Sequence, residues 1–148
     1  MTENLLSALS SPLNDCRVVI IEDEFLIALD LEMSVSNAGL GATVSGFATQ
    51  KEHALKIGAD ADIAFVDVNL ADGRTGPEVG RILANDFGVS VIFMTGNPEM
   101  LCKDIAGTLG VMTKPVDDRA VQQALAYAIA KRTGRLAIVP AGMMVFPA

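Results

Sequence analysis

The stretch ADIAFVDVNL, residues 61–70, runs through apolar Ile63, Ala64, Phe65 and Val66 to a carboxylate at Asp67. Its length and its apolar, partly β-branched character are those of a strand buried on both faces. Burying an isolated ionised carboxylate costs more than one residue can return. Asp67 therefore sits at a strand end, is neutralised, or meets a cation.

Working outward, short apolar runs alternate with amphipathic stretches. RVVII (17–21) reads as a first strand. EFLIALDLEMSVSNAG (24–39) follows as a helix, with Phe25, Leu26, Leu29, Leu31, Met33 and Val35 at helical spacing and Gly39 as C-cap. ATVSGFA (42–48) is a second strand, and TQKEHALKIGAD (49–60) a short helix capped by Thr49. Beyond the 61–70 strand and a polar loop, Pro77 opens a helix over 78–88, and VSVIFMTG (89–96) is a fourth strand. NPEMLCKDIAG (97–107) reads as a short helix, GVMTKP (110–115) as a fifth strand, and residues 116–132 as a closing helix. That helix carries Asp117 and Asp118 at its start and Lys131 and Arg132 at its end, as the macrodipole prefers.

Five such units predict an α/β fold, an open five-stranded parallel sheet with helices on both faces, whose ligands lie beyond the carboxyl ends of the strands. The expected organisation is an extension over 1–15, one domain over 16–133 and an apolar tail over 134–148. Met143, Met144 and Phe146 suit that tail either to cover its own domain or to meet a partner.

Composition narrows the function. With 148 residues, 18 acidic against 11 basic and a net charge of −7, the chain has no electrostatic footprint for nucleic acid. Cys16 and Cys102 have no metal-binding spacing and read as reduced thiols. No segment has the length and apolarity of a membrane span, and the amino terminus has the wrong charge order for a secretory signal; a soluble, cytoplasmic protein is expected. His53 has no partner for catalysis and reads as part of a solvated face.

The strand ends collect Glu22 and Asp23, then Asp67, Thr95 and Lys114. Carboxylates converging on one sheet edge repel one another unless a divalent cation shares them, and Mg²⁺, hard and oxygen-loving, fits. Such a metal keeps open positions that accept phosphate oxygens. Lys114 adds a point charge and Thr95 a hydroxyl. The set suits phosphoryl transfer with Asp67 as nucleophile, forming an aspartyl phosphate.

VVIIEDE, FVDVNL, FMTG and TKP, in this order over about residues 17–132, resemble the receiver domain of two-component response regulators. The resemblance implies a flavodoxin-like (βα)5 fold and makes Asp67 the phosphoacceptor and Asp23 a direct Mg²⁺ ligand. It makes Glu22 an acidic partner acting through water, and Asn69 a ligand through its backbone carbonyl. Thr95 becomes the switch hydroxyl and Lys114 the phosphate-binding lysine, followed by a Pro115 that such domains commonly hold through a cis bond. It implies a signalling domain rather than an enzyme, phosphorylated by a sensor histidine kinase or a histidine phosphotransfer protein. With no output domain expected, the signal leaves through protein contacts or onward transfer; the oligomeric state, a homodimer included, stays open.

This chain departs from the family in carrying Glu-Asp where Asp-Asp is commoner, and Val111 where a Phe or Tyr usually turns on phosphorylation. Valine is short and stiff at χ1, so the readout is expected to move to the segment after Thr95, between Gly96 and Gly107. Two alternatives compete. A haloacid-dehalogenase-like phosphatase also uses an aspartyl nucleophile and Mg²⁺, but needs an acid where Asn69 stands. A non-phosphorylated scaffold leaves the complete residue set unexplained.

Overall fold

The structure is a computed structural model that describes residues 16–101 and 105–147. The strands are β1 (Cys16–Ile21), β2 (Ala42–Ala48), β3 (Ile63–Asp67), β4 (Ser90–Thr95), β5 (Gly110–Thr113) and β6 (Met143–Val145). The helices are α1 (Phe25–Asn37), α2 (Lys51–Gly58), α3 (Gly76–Phe87) and α4 (Asp118–Arg132). The strands form one sheet in the order β2-β1-β3-β4-β5-β6. All neighbours are parallel except β5 and β6. The fold is the expected flavodoxin-like α/β arrangement with a sixth, antiparallel strand added at one edge.

Strand alternation builds two cores. Val18, Ile20, Phe65, Ile92, Met94 and Met112 pack on one face with Leu31 and Val35 of α1 and Leu125 of α4. Val19, Ile21, Val66, Phe93 and Val111 pack on the other with Val79 and Leu83 of α3. Because both faces of β1, β3 and β4 are covered, these strands read as nearly continuous apolar runs, whereas the edge strand β2 alternates.

One open alternative is decided and three expectations change. The tail covers its own domain: β6 pairs with β5, and Phe146 is buried. Helix α2 starts from Gln50 with no side-chain cap; Thr49 instead lends its carbonyl to Ala71, while Asp72 accepts from the Lys51 amide at 3.1 Å. In α1 the buried face is Ala28, Leu31, Ser34 and Val35, whereas Phe25, Leu26 and Met33 are exposed. Three apolar residues thus stand on the helix's outer side, where local periodicity cannot tell them from core. Finally, the described part of the fourth crossover is a 3-10 turn, Pro98–Leu101. It starts at a proline, and the segment re-enters the sheet through Gly107, whose φ of 84° favours glycine. Cys102 and residues 1–15 lie outside the described residues. Cys16 is a buried free thiol whose pKa is pushed up to about 11, first by burial and then by the charge of Asp62.

Arg132, expected only to complement the end of α4, reaches further. Its guanidinium donates to the Gly88 carbonyl at 2.9 Å and to Ser90 Oγ at 3.2 Å, and meets Asp62 Oδ1 at 3.3 Å. It clamps the amino ends of β3 and β4 and so steadies the strands that present the site at their other ends.

Candidate functional site

In a sheet of order 2-1-3-4-5, the crossovers leaving β1 and β3 pass to opposite faces, and a crevice opens between the carboxyl ends of these two strands. Glu22 and Asp23 follow β1, and Asp67 ends β3. Carboxylate oxygens of these three residues lie within 4.8 Å of one another, with Glu22 and Asp67 buried and Asp23 exposed.

Lys114, just after β5, reaches across the strand ends. Its Nζ donates to Asp67 Oδ2 at 2.7 Å and to Glu22 Oε1 at 2.8 Å. The second oxygen of each carboxylate takes a backbone amide: Asn69 N–H donates to Asp67 Oδ1 and Glu24 N–H to Glu22 Oε2, both at 3.2 Å. The side chains are thereby held on both sides. Lys114 is positioned by its own amide, which donates to the Thr95 carbonyl at 2.8 Å, and by a cis peptide bond to Pro115. Val68 N–H donates to the Met94 carbonyl, tying the end of β3 to β4.

Thr95 is buried on the face that also carries Phe93 and Val111, and its Oγ1 accepts from Asn97 N–H at 3.2 Å. The hydroxyl thus caps the turn that starts the fourth crossover and lies at its hinge. Asn69 is exposed in the loop after Asp67. His53 is exposed on α2.

The electrostatics follow from burial. Glu22 is pushed up to about 7 by desolvation and by its hydrogen-bonded neighbour Asp67, against the opposing pull of Lys114. Burial works to lower the Lys114 pKa, but the bonds to Asp67 and Glu22 outweigh it and the ammonium is strengthened. The Lys114 ammonium bonds two of the three carboxyl groups, so full ionisation leaves this cluster with an excess of negative charge. Hard oxygen donors with that excess fit a divalent cation such as Mg²⁺.

A pH prediction follows. Without divalent cations, folding stability should fall as pH rises from 4.5 to about 7, because the folded chain holds the Glu22 proton that the unfolded chain has lost. Above that window the contribution is constant, and its full size is on the order of 3 kcal/mol. Urea melts of wild type and Glu22→Gln across this range check it: stability should fall more steeply in wild type than in the variant, and equal slopes would refute it.

Sequence reasoning missed the loop partner of Asp67. Gly76, first residue of α3, donates its N–H to the Val68 carbonyl at 3.1 Å, and a Cβ there would overlap the Asp67 carbonyl and stand 2.7 Å from Val68 Cα. Also unforeseen was a cleft of about 610 Å³ beside Lys114, between α1 and the start of α4, with Ile27, Leu31, Val116 and Val121 in its lining. A Ser34–Asp118 hydrogen bond crosses it.

No family model matches the chain. Over 85 residues it is 42% identical to the phyllosphere-induced regulator PhyR of Methylorubrum extorquens, an overlap of 55% of this chain and 31% of that protein. The crystal structure of the response regulator PhyR from Brucella abortus superposes with a TM-score of 0.70 at 31% identity, covering 89% of this chain and 56% of that one. The solution structure of the receiver domain of PhyR from Erythrobacter litoralis gives a TM-score of 0.70 at 29% identity over 83% of this chain and 96% of that domain. This chain carries a response-regulator receiver domain. The receiver domain accounts for nearly all of the Erythrobacter structure, whereas the chain spans about a third of the Methylorubrum regulator and just over half of the Brucella one. No helix among the described residues is long and apolar enough to cross a membrane.

Proposed function

We propose that this receiver domain accepts a phosphoryl group on Asp67 from a sensor histidine kinase or a histidine phosphotransfer protein. It then signals through altered protein contacts or by passing the group onward. The observation that carries the reading is the bridge of Lys114 Nζ between Asp67 and Glu22 at the mouth of the crevice, with Asp23 beside it.

An Asp67 carboxylate oxygen attacks phosphorus while the bond from phosphorus to the donor histidine nitrogen breaks. The electron pair leaves with the nitrogen, and an aspartyl phosphate remains. Catalysis here is positioning and charge stabilisation. The amide of Asn69 orients the attacking carboxylate, and the ammonium of Lys114 passes from the carboxylate to the new phosphoryl oxygens. Asp23, Asp67 and the Asn69 carbonyl would hold a Mg²⁺, with Glu22 acting through water, and the bound ion would supply further positive charge to the phosphoryl oxygens. Thr95 gives up its bond from Asn97 to donate to the phosphoryl group, which releases the turn it caps. This reading puts the exchange in the cytoplasm, together with the kinase or phosphotransfer protein that donates the group.

Incubation with acetyl phosphate and Mg²⁺ tests the reading. Mass spectrometry should find one labile phosphoryl adduct; none under any Mg²⁺ concentration would leave only a scaffold. Lys114→Ala should still bind Mg²⁺, because the carboxylates remain, yet form the adduct about a hundredfold more slowly, the usual scale for one lost charge stabiliser. An unchanged rate would remove Lys114 from the chemistry.

Val111 is buried in the cluster that also holds Phe93, Phe146 and the half-buried Ile105, so no ring turns at position 111. Beryllofluoride should therefore change hydrogen exchange chiefly between Gly96 and Gly107, and Thr95→Ala should suppress the change. A difference confined to the loop around Asp67 would show that Thr95 does not transmit.

A further inference from the structure

Asp72 stands exposed in the loop that follows Asp67, where water could satisfy its carboxylate. Both of its oxygens are nevertheless engaged by the protein. Oδ2 accepts from Lys51 N–H at 3.1 Å, and Oδ1 accepts from Thr75 Oγ1 at 2.6 Å. Thr75 precedes α3 and makes no side-chain cap for that helix, so its hydroxyl serves Asp72 instead. The bond from Thr75 first, and then that from the Lys51 amide, hold the carboxyl below the usual carboxylate range. One side chain thus ties the loop to the start of α2 and to the residue that opens α3.

The backbone repeats the tie. Leu70 and Gly73 exchange hydrogen bonds of 2.7 and 3.0 Å and close a tight turn, and Ala71 N–H donates to the Thr49 carbonyl at 2.8 Å. The residue before Thr49 serves the other loop of the site, since the Ala48 carbonyl accepts from Glu22 N–H at 2.9 Å. Residues 48–51 therefore present, in succession, a carbonyl to the loop carrying Glu22 and Asp23, a carbonyl to the loop carrying Asn69, and an amide to Asp72. Two loops that leave different strands hang on a single junction, and Asp72 is the side chain that fixes the second of them to it.

We propose that Asp72 is a positioning residue: through the Lys51 amide and the Thr75 hydroxyl it holds residues 69–71 at the distance from the acid pair at which Asp23, Asp67 and the Asn69 carbonyl can share one Mg²⁺. The inference rests on the phosphoacceptor reading for the role of the metal, and on the hydrogen bonds alone for the lock. Geometry rather than charge is the cause. An asparagine at this position can accept from Lys51 N–H with its oxygen and donate its amide to the Thr75 hydroxyl, which accepts as well as donates. An alanine can do neither. Residues that support metal ligands from behind in this way change metal affinity by about tenfold to a hundredfold.

Asp72→Ala and Asp72→Asn test it in the full chain. Glu78→Gln is the control, since it removes the charge of the neighbouring Lys51–Glu78 pair, 2.9 Å apart, and leaves the lock in place. In the metal-free protein, hydrogen exchange at the Asn69 and Ala71 amides should be about tenfold faster in Asp72→Ala and close to wild type in the other two variants. Titration with Mg²⁺, followed by amide shifts around Asp67, should find binding about tenfold weaker in Asp72→Ala and within about twofold of wild type in Asp72→Asn and Glu78→Gln. Asp72→Asn or Glu78→Gln as weak as Asp72→Ala would make the effect one of charge and overturn the proposal. Faster exchange with unchanged Mg²⁺ affinity would leave Asp72 a purely structural residue and overturn it too, as would an Asp72→Ala indistinguishable from wild type or a wild type with no affinity for Mg²⁺. A wild type that shows the expected pattern but takes no phosphoryl group from acetyl phosphate sinks the phosphoacceptor reading and leaves the lock standing.

Discussion

Asp67→Asn should abolish the proposed phosphoryl adduct and leave the fold standing. The carboxamide keeps the volume of the side chain at the end of β3, and its oxygen still accepts from Lys114 or from the Asn69 amide. What it loses is the charge and the nucleophilic oxygen pair. Since Asp67 and Glu22 share one ammonium here, removing one negative charge relieves repulsion with Glu22, so stability should stay within about 1 kcal/mol of wild type or rise. The expected record is a full loss of the labile mass increment after acetyl phosphate treatment, with an unchanged far-ultraviolet spectrum. A folded variant that still gains one labile phosphoryl group moves the acceptor elsewhere and sinks the assignment.

Gly76→Ala should be the most damaging single methyl group outside the charged residues. A Cβ at this position overlaps backbone, the Asp67 carbonyl and Val68 Cα, and backbone cannot step aside as a flexible side chain does. Either α3 lifts from the sheet or the 67–70 loop moves. The cost should be about 3 kcal/mol, a fall in melting temperature of about 6–12 °C. If the loop moves, Asp67 leaves the reach of Lys114 and adduct formation slows as well. Gly134→Ala is the control: it has a φ of 69° but nothing within 4 Å, so it meets only backbone strain of about 1 kcal/mol. Equal melting temperatures for the two variants would show that α3 does not press on the acceptor loop.

Both predictions depend on how the amino acids specify this molecule, and they draw on different levels. Asp67 stands out in the sequence because a carboxylate closing an apolar run violates a local rule. The convergence of Glu22, Asp23, Asp67 and Lys114 was legible for a related reason: in a parallel sheet every strand presents its carboxyl end on the same edge, so residues far apart in the chain meet there. Their roles remain the reading proposed above. Gly76 gave no such signal. Beside Pro77 it looks like an ordinary loop glycine, and only its approach to Val68 and Asp67 reveals the need for a missing Cβ.

The sequence by itself determined the alternation of strands and helices, because apolar period and β-branching act within a few residues, and with it the sheet edge where chemistry collects. Tertiary structure alone decided which side of α1 faces the core, leaving Phe25 and Leu26 in water while Ser34 is buried. It also decided that Asp72 rather than Thr49 serves the start of α2, and that Arg132 spans to Gly88 and Asp62. Above all it placed the apolar tail. An apolar segment fits any surface that excludes water, and hydrophobicity has no direction. The β5 edge, the gap left by Gly110 and the seats of Met143 and Phe146 on opposite faces make residues 143–146 a strand, and these exist only once the sheet has formed.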